Sequence, residues 1–128
     1  MQHSHAFPRS ARLTQARQFT EVFGQSERQA GPRLLLRVRL QPQGGARLGM
    51  AIARKRARTA VLRNRIKRRL RERFRHLQQD WPPIDLIVLL RGPLTLADCD
   101  GLGDEFQQLV ERALIRIARR PATDEANH

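Results

Sequence analysis

Residues 54–75 read Arg-Lys-Arg-Ala-Arg-Thr-Ala-Val-Leu-Arg-Asn-Arg-Ile-Lys-Arg-Arg-Leu-Arg-Glu-Arg-Phe-Arg. More than half are Lys or Arg, and Glu72 is the only acid among them. Leu62, Ile66, Leu70, Phe74 and Leu77 nevertheless recur every three or four positions, the signature of one apolar helix face. At 100° per residue, Leu62, Leu70 and Leu77 lie within about 40° of Ile66, and Phe74 at about 80°. Asn64, Arg68, Arg71 and Arg75 lie within about 40° of the opposite pole, flanked by Arg65 and Lys67. Arg69 and Arg73 fall near the apolar sector and are expected to snorkel from its edge. The spacing predicts a helix from about Thr59 to Asp80, stopped by Pro82-Pro83. A helix that docks by one face and shows arginine on the others is a rigid cationic surface, suited to a polyphosphate backbone. With acids so scarce, i,i+4 ion pairing within the helix does not account for the charge run.

The apolar face needs something to cover. On the N-terminal side, Arg47 to Ala53 alternates, with Leu48, Met50 and Ile52 inward; small Gly49, Ala51 and Ala53 on the other face let a ligand or helix approach. Arg33 to Leu40 alternates too: Leu34, Leu36, Val38 and Leu40 face one way, Arg33, Leu35, Arg37 and Arg39 the other. With Pro42-Gln43-Gly44-Gly45 as the turn, these two strands are expected to pair as an antiparallel hairpin. On the C-terminal side, Ile84 to Leu90 is nearly continuous apolar sequence, as in a strand covered on both faces. A last helix carries Phe106, Leu109, Val110, Ala113, Leu114 and Ile117 on one stripe. Earlier, Thr14 is placed as the N-cap of a short helix bearing Phe19, Val22 and Phe23 and ending near Gly24. Gln25 to Pro32 is a polar connection with room for a short edge strand. The residues alone thus predict α-β-β-α-β-α, an α+β fold in which 47–53, 59–80 and 84–90 form one βαβ unit.

The chain has 128 residues and a formal net charge of +13, which fits one small domain and a nucleic-acid binder. The expected boundaries are tails at 1–10 and 121–128 around a domain at 11–120. Lys occurs only at 55 and 67; the excess is guanidinium, which grips phosphate bidentately and stacks on bases. Cys99 is the only cysteine, which excludes a disulfide framework and suggests a reducing compartment. His3, His5, His76 and His128 are scattered and form no zinc signature. No apolar run approaches a membrane span. The polar start lacks a signal-peptide core, so a cytoplasmic protein is expected. There is no convincing carboxylate pair, Ser-His arrangement or metal cluster, hence no evident hydrolytic machinery.

The stretch Ala60-Val61-x-Arg63-Asn64-Arg65-Ile66-Lys67-Arg68-x-x-Arg71-Glu72-x-Phe74-Arg75 resembles the Arg-Asn-Arg signature of the protein subunit of bacterial ribonuclease P. The resemblance extends over about residues 12–120: Arg12-Leu13-Thr14, Phe19 with Val22-Phe23, Arg47-Leu48-Gly49, Lys55 and the apolar strand before Arg91 follow the family's order. It implies a single α+β domain, an α-β-β-β-α-β-α sandwich with a central mixed sheet and a left-handed βαβ crossover. The general rule for parallel crossovers would give the opposite hand. It also implies the protein subunit of a ribonucleoprotein endonuclease in which the RNA catalyses cleavage. Mg2+ is then bound mainly by that RNA, with none bound by the protein alone. The partners implied are the catalytic RNA and precursor tRNA. Carried over residue by residue, the RNA-binding set is Arg54, Lys55, Arg63, Asn64, Arg65, Lys67, Arg68, Arg71 and Arg75. The cleft for the single-stranded 5′ leader of precursor tRNA would be lined by Phe19, Phe23, Arg33, Leu35 and Arg37.

Two departures matter. Where the family often has an aromatic, this chain has Arg37, which favours guanidinium stacking and phosphate pairing over aromatic stacking. Where the family often reads Ser-Val-Ser-Lys-Lys, this chain reads Ala51-Ile52-Ala53-Arg54-Lys55; the hydroxyls are gone and the charge remains. For Phe19 and Phe23, four apart on one face, core packing and a stacking platform both stand. The rival class is a non-catalytic RNA-binding protein such as a ribosomal protein or RNA chaperone. A duplex-DNA reader or a membrane-active helix fits less well, because no helix-turn-helix, zipper or isolated amphipathic segment frames the basic helix.

Overall fold

A computed structural model of the chain describes Arg12, Val22, Gly24, residues 26–41 and residues 44–119. The expected first helix with Phe19 and Phe23, and both expected tails, lie outside the described residues.

Four strands form one mixed sheet: β1 (Glu27–Ala30), β2 (Leu34–Leu40), β3 (Arg47–Ala51) and β4 (Ile84–Leu90), in the order β1-β2-β4-β3. β1–β2 and β2–β4 are antiparallel, and β3–β4 is parallel. The expected β2–β3 hairpin is not formed, because β4 lies between its two arms. The apolar content of β4 gives the reason. Of its seven residues all but Leu89 are buried, so its backbone needs a partner strand along each edge as well as cover on each face. Bracketed by β2 and β3 it has both. The connection at 41–46 must then cross two strand spacings, about 10 Å, more than a two-residue turn can span. Gln41 begins that crossing by donating its backbone N–H to the Pro83 carbonyl at 3.0 Å, and Gly44 takes the left-handed φ of 92° that turns the chain.

Helix α1 (Ala60–Leu77) enters where the Thr59 hydroxyl accepts the Leu62 N–H at 3.0 Å as an N-cap. It buries Leu62, Ile66, Leu70 and Phe74. A short 3-10 turn at Gln78–Asp80 follows and the prolines end it. β3, α1 and β4 form the expected βαβ unit. Helix α2 (Leu102–Ala118) buries Leu102, Phe106, Leu109, Val110 and Ala113. Thr95 and Asp98 close a capping box on the 3-10 turn before it. Both helices pack on one sheet face, on Leu34, Leu36, Val38, Leu48, Leu86, Val88 and Leu90. Trp81 joins them, tilted against Phe74 and edge-on to Phe106, with its ring 6.1 Å from each.

The register sorts the other face. Leu35 opposes Leu89, Arg37 opposes Ile87 and Arg39 opposes Asp85, while Arg47 opposes Asp85 from the other side. Val22 is buried there against Ile87, with Leu89 beside it. One sheet face therefore carries the two-helix core. The other carries a smaller apolar patch bordered by arginines.

Candidate nucleic-acid interface

The outer side of α1 forms the surface its spacing suggests. Asn64, Arg65, Arg68 and Arg71 are exposed, and Arg63, Lys67 and Arg75 are half-buried. The apolar stripe opposite is pinned in the core, so these side chains project from a fixed rod. Arg54 and Lys55 are exposed on a tight turn just before it, held by Arg56 and Ala57 N–H groups donating to the Ala53 carbonyl at 3.1 Å each.

Four arginines around this surface carry structural duties. The Arg63 guanidinium donates to the Ala57 carbonyl at 2.9 Å, tying the turn to the helix. Arg56 donates to the Leu90 carbonyl, tying the turn to the end of β4. Arg73, at the edge of the apolar sector, bonds Gln107 at 2.8 Å and pairs with Asp104 at 3.0 Å. It lies over Gly103, where a Cβ would stand 2.9 Å from its guanidinium. Arg69 reaches Asp100 at 3.6 Å. The acids missing from α1 are thus supplied, at its edge, by Asp100 just before the last helix and Asp104 in that helix's first turn.

At the pole the charges gather in a groove. Arg12 forms a parallel β-bridge with Leu48, which brings Arg12 alongside β3. There Arg12 lines a groove of about 620 Å³ together with Asn64, Arg68, Arg71, Glu72 and Arg75. Partial desolvation in this groove, and then the Arg12 charge, hold the largely exposed Arg71 guanidinium below the usual arginine range. A second groove of about 520 Å³ runs along Val61, Asn64, Arg65, Arg68, Arg69 and Glu72. Like charges gathered in a partly desolvated groove repel one another, and an anionic ligand relieves that repulsion. Sequence reasoning did not assign Arg12 to the site, and helix periodicity could not: a bridge to a strand 36 positions away places it.

On the opposite sheet face, Leu35 and Arg37 share a side with Ile87 and Leu89. Arg33, expected with them, precedes the first residue of β2. Its guanidinium turns to Asp98 and Glu105, at 3.4 Å each. Glu105 is a buried acid that sequence reasoning missed; it accepts the Arg33 and Leu34 backbone N–H groups at 2.8 and 2.7 Å. A Cβ at Gly31 would stand 2.6 Å from its carboxylate, so glycine is needed there. Asp85, the second missed acid, is fully buried between Arg39 and Arg47. A charged residue inside an otherwise apolar strand was the available signal, because a buried carboxylate demands cationic partners. Among the described residues no three His, Cys, Asp or Glu side chains converge as metal ligands. None of the described helices is long and apolar enough to cross a membrane.

Comparison with known proteins gives one consistent result. The family model for Ribonuclease P matches residues 7–114. The ribonuclease P protein component of Escherichia coli O6:H1 is 39% identical over 116 residues, covering 91% of this chain and 97% of that protein. That of Photorhabdus laumondii is 40% identical over 114 residues, covering 89% and 95%. In three dimensions the chain is similar to the Staphylococcus aureus RNase P protein, with a TM-score of 0.65 and 26% identity over 85% of this chain and 95% of the other. It is also similar to the Thermotoga maritima RNase P protein, with a TM-score of 0.56 and 26% identity over 86% and 96%.

Proposed function

The chain belongs to the ribonuclease P protein family, and from that premise we propose how its two faces divide the work of a ribonuclease P protein component. The arginine pole of α1, with Arg54 and Lys55 before it and Arg12 across the groove, binds the catalytic RNA. Leu35 and Arg37, on the opposite sheet face, receive the single-stranded 5′ leader of precursor tRNA. The protein then assists endonucleolytic 5′ maturation of tRNA, in the cytoplasm, without itself making or breaking the phosphodiester bond.

The observation that carries this reading is the convergence of cationic side chains: Asn64, Arg68, Arg71 and Arg75 meet Arg12 in one groove on a helix whose other side is locked into the core. The arginine-bordered patch lies on the sheet face opposite the two helices, which supports a leader face separate from the pole. Cleavage and Mg2+ belong to the RNA. The acids Asp85, Asp98, Asp104 and Glu105 of this chain are engaged by arginines and do not fit a catalytic metal site.

Reconstitution tests the proposal. The purified protein alone should leave precursor tRNA intact. Added to the cognate RNA subunit at low Mg2+ it should accelerate 5′ cleavage, because a cationic partner replaces some of the counterions that two polyanions need to associate. Cleavage by RNA-free protein, or no effect on the RNA's rate, would overturn it.

A further inference from the structure

Glu72 is out of place on a surface meant for phosphate. It lines both grooves of α1, among Arg65, Arg68, Arg71 and Arg75. Its carboxylate is 53% exposed, and among the described residues its ion pair is with Arg75, at 4.0 Å, the outer limit of such a contact. By contrast Asp85 and Glu105 are buried under close hydrogen bonds. An exposed carboxylate repels every phosphate that approaches, and glutamine or arginine at this position would raise affinity for any polyanion.

A carboxylate accepts hydrogen bonds and donates none, so it distinguishes the parts of an RNA that phosphate-binding arginines do not. Phosphate and base carbonyl oxygens are repelled. Groups bearing N–H are attracted. The Watson–Crick edge of an unpaired guanine presents two adjacent donors, N1–H and the N2 amino group, which the two carboxylate oxygens can accept in parallel. Cytosine and adenine present one amino group beside an acceptor nitrogen, and uracil one N–H between two carbonyls. With about 620 Å³, the groove is within the range of small-molecule sites, roughly 300–1,000 Å³. Its arginines can hold the flanking phosphates while Asn64 supplies an adaptable amide.

We propose that the groove between Arg12 and α1 takes an unpaired, amino-bearing nucleotide of the partner RNA, guanosine best of all, with Glu72 accepting from the base edge. This rests on the reading of α1 as the RNA-binding surface, and it makes Glu72 a specificity-determining residue on that surface.

The test is fluorescence anisotropy with short labelled oligouridine strands: all uridine, with one central guanosine, or with inosine in its place, which lacks the N2 amino group. They are titrated against the full chain and its Glu72→Ala, Glu72→Gln and Arg68→Ala variants. The unmodified protein should prefer the guanosine strand over the other two by roughly tenfold, the discrimination of a good bidentate base contact. Glu72→Ala should abolish the preference while tightening all-uridine binding, since a negative charge has left the surface. Glu72→Gln should keep at most a small part of the preference. Melting temperatures should not move, because Glu72 buries little. A preference that survives both Glu72 substitutions, or no preference in the unmodified protein with Arg68-dependent binding, sinks the guanosine assignment while leaving α1 as the RNA surface. Binding of all strands that ignores Arg68→Ala would remove the underlying reading as well, and this one with it.

Discussion

Arg47 and Asp85 face each other across the parallel β3–β4 pair and are joined by two hydrogen bonds of 2.7 and 2.9 Å. Asp85 is fully buried, and Arg39 approaches it from β2 at 3.2 Å. One carboxylate on the central strand thus fastens both neighbouring strands. Removing it leaves two guanidiniums in a space shaped for a pair. Asp85→Ala is expected to lower stability by about 3 kcal/mol, near the lower end for breaking a buried pair, since both arginines retain some access to water. Arg47→Ala should cost less, because Arg39 remains. Chemical denaturation of the two variants checks the order; equal losses would show that Arg39 contributes nothing to the carboxylate.

The same residue marks where the sequence was readable and where it was not. Helix α1 was legible to within a few residues, because a 3.6-residue repeat and a Pro-Pro stop both act locally. The strands were legible for the same reason, as period-two alternation at Leu34, Leu36 and Val38. Their order was not. Alternation says which face a strand buries and nothing about its neighbour, so β2 and β3 looked like a hairpin until β4, which needs two partners, took the place between them. Arg12 in the groove and Glu105 beneath Arg33 were equally hidden, since both depend on contacts distant in sequence. The arginine pole of α1 needed no such contact, which is why most of the candidate RNA-binding residues could be named from periodicity.

The two sides of α1 should separate cleanly by mutation. Phe74 is fully buried against Trp81, and Phe74→Ala is expected to cost about 3–5 kcal/mol. Arg68 is exposed on the pole, and Arg68→Ala should change stability by no more than about 0.5 kcal/mol. Its effect should instead be on RNA: weaker binding of the catalytic RNA, and a slope of log K against log salt shallower by roughly 0.7–0.9, the share of one phosphate contact. Thermal melts beside salt-dependent titrations check both. An Arg68 variant with an unchanged salt slope would remove that side chain from the phosphate contacts.

Acid should loosen the approach to α2. The Asp98 carboxyl is held below its ordinary value of 3.8, first by the Thr95 backbone N–H, against a smaller opposing effect of burial, and further by the Thr95 hydroxyl and Arg33. A carboxyl whose folded pKa is depressed binds fewer protons folded than unfolded. Its stabilising contribution is therefore complete above 3.8 and is lost as pH falls through the lower folded value. The Asp98→Asn variant should lose part of this contribution at neutral pH and show a flatter loss of stability on acidification. Denaturation midpoints for both proteins between neutral pH and the carboxylate range decide it; parallel curves would mean that the capping box contributes no linkage.

Arg37 offers the sharpest test of the leader face. It lies on the sheet side opposite α1 and α2, with Ile87 across from it on β4, and the Arg-Asn-Arg helix is on the other side. A guanidinium there can stack on an unpaired base or bind a leader phosphate, and both contacts vanish when the leader is absent. Arg37→Ala should therefore weaken binding of leader-bearing precursor tRNA to the reconstituted ribonucleoprotein several-fold, in line with about 1–3 kcal/mol for a base-stacking contact. Mature tRNA, and assembly with the catalytic RNA, should be unaffected. Arg37→Lys should restore the share due to charge and not the share due to stacking, because an ammonium cannot lie flat on a base. Affinities of leader-bearing and leaderless tRNA for each variant give the answer. Equal weakening of both by Arg37→Ala would place its contribution in the general electrostatics of the particle and not in a leader cleft.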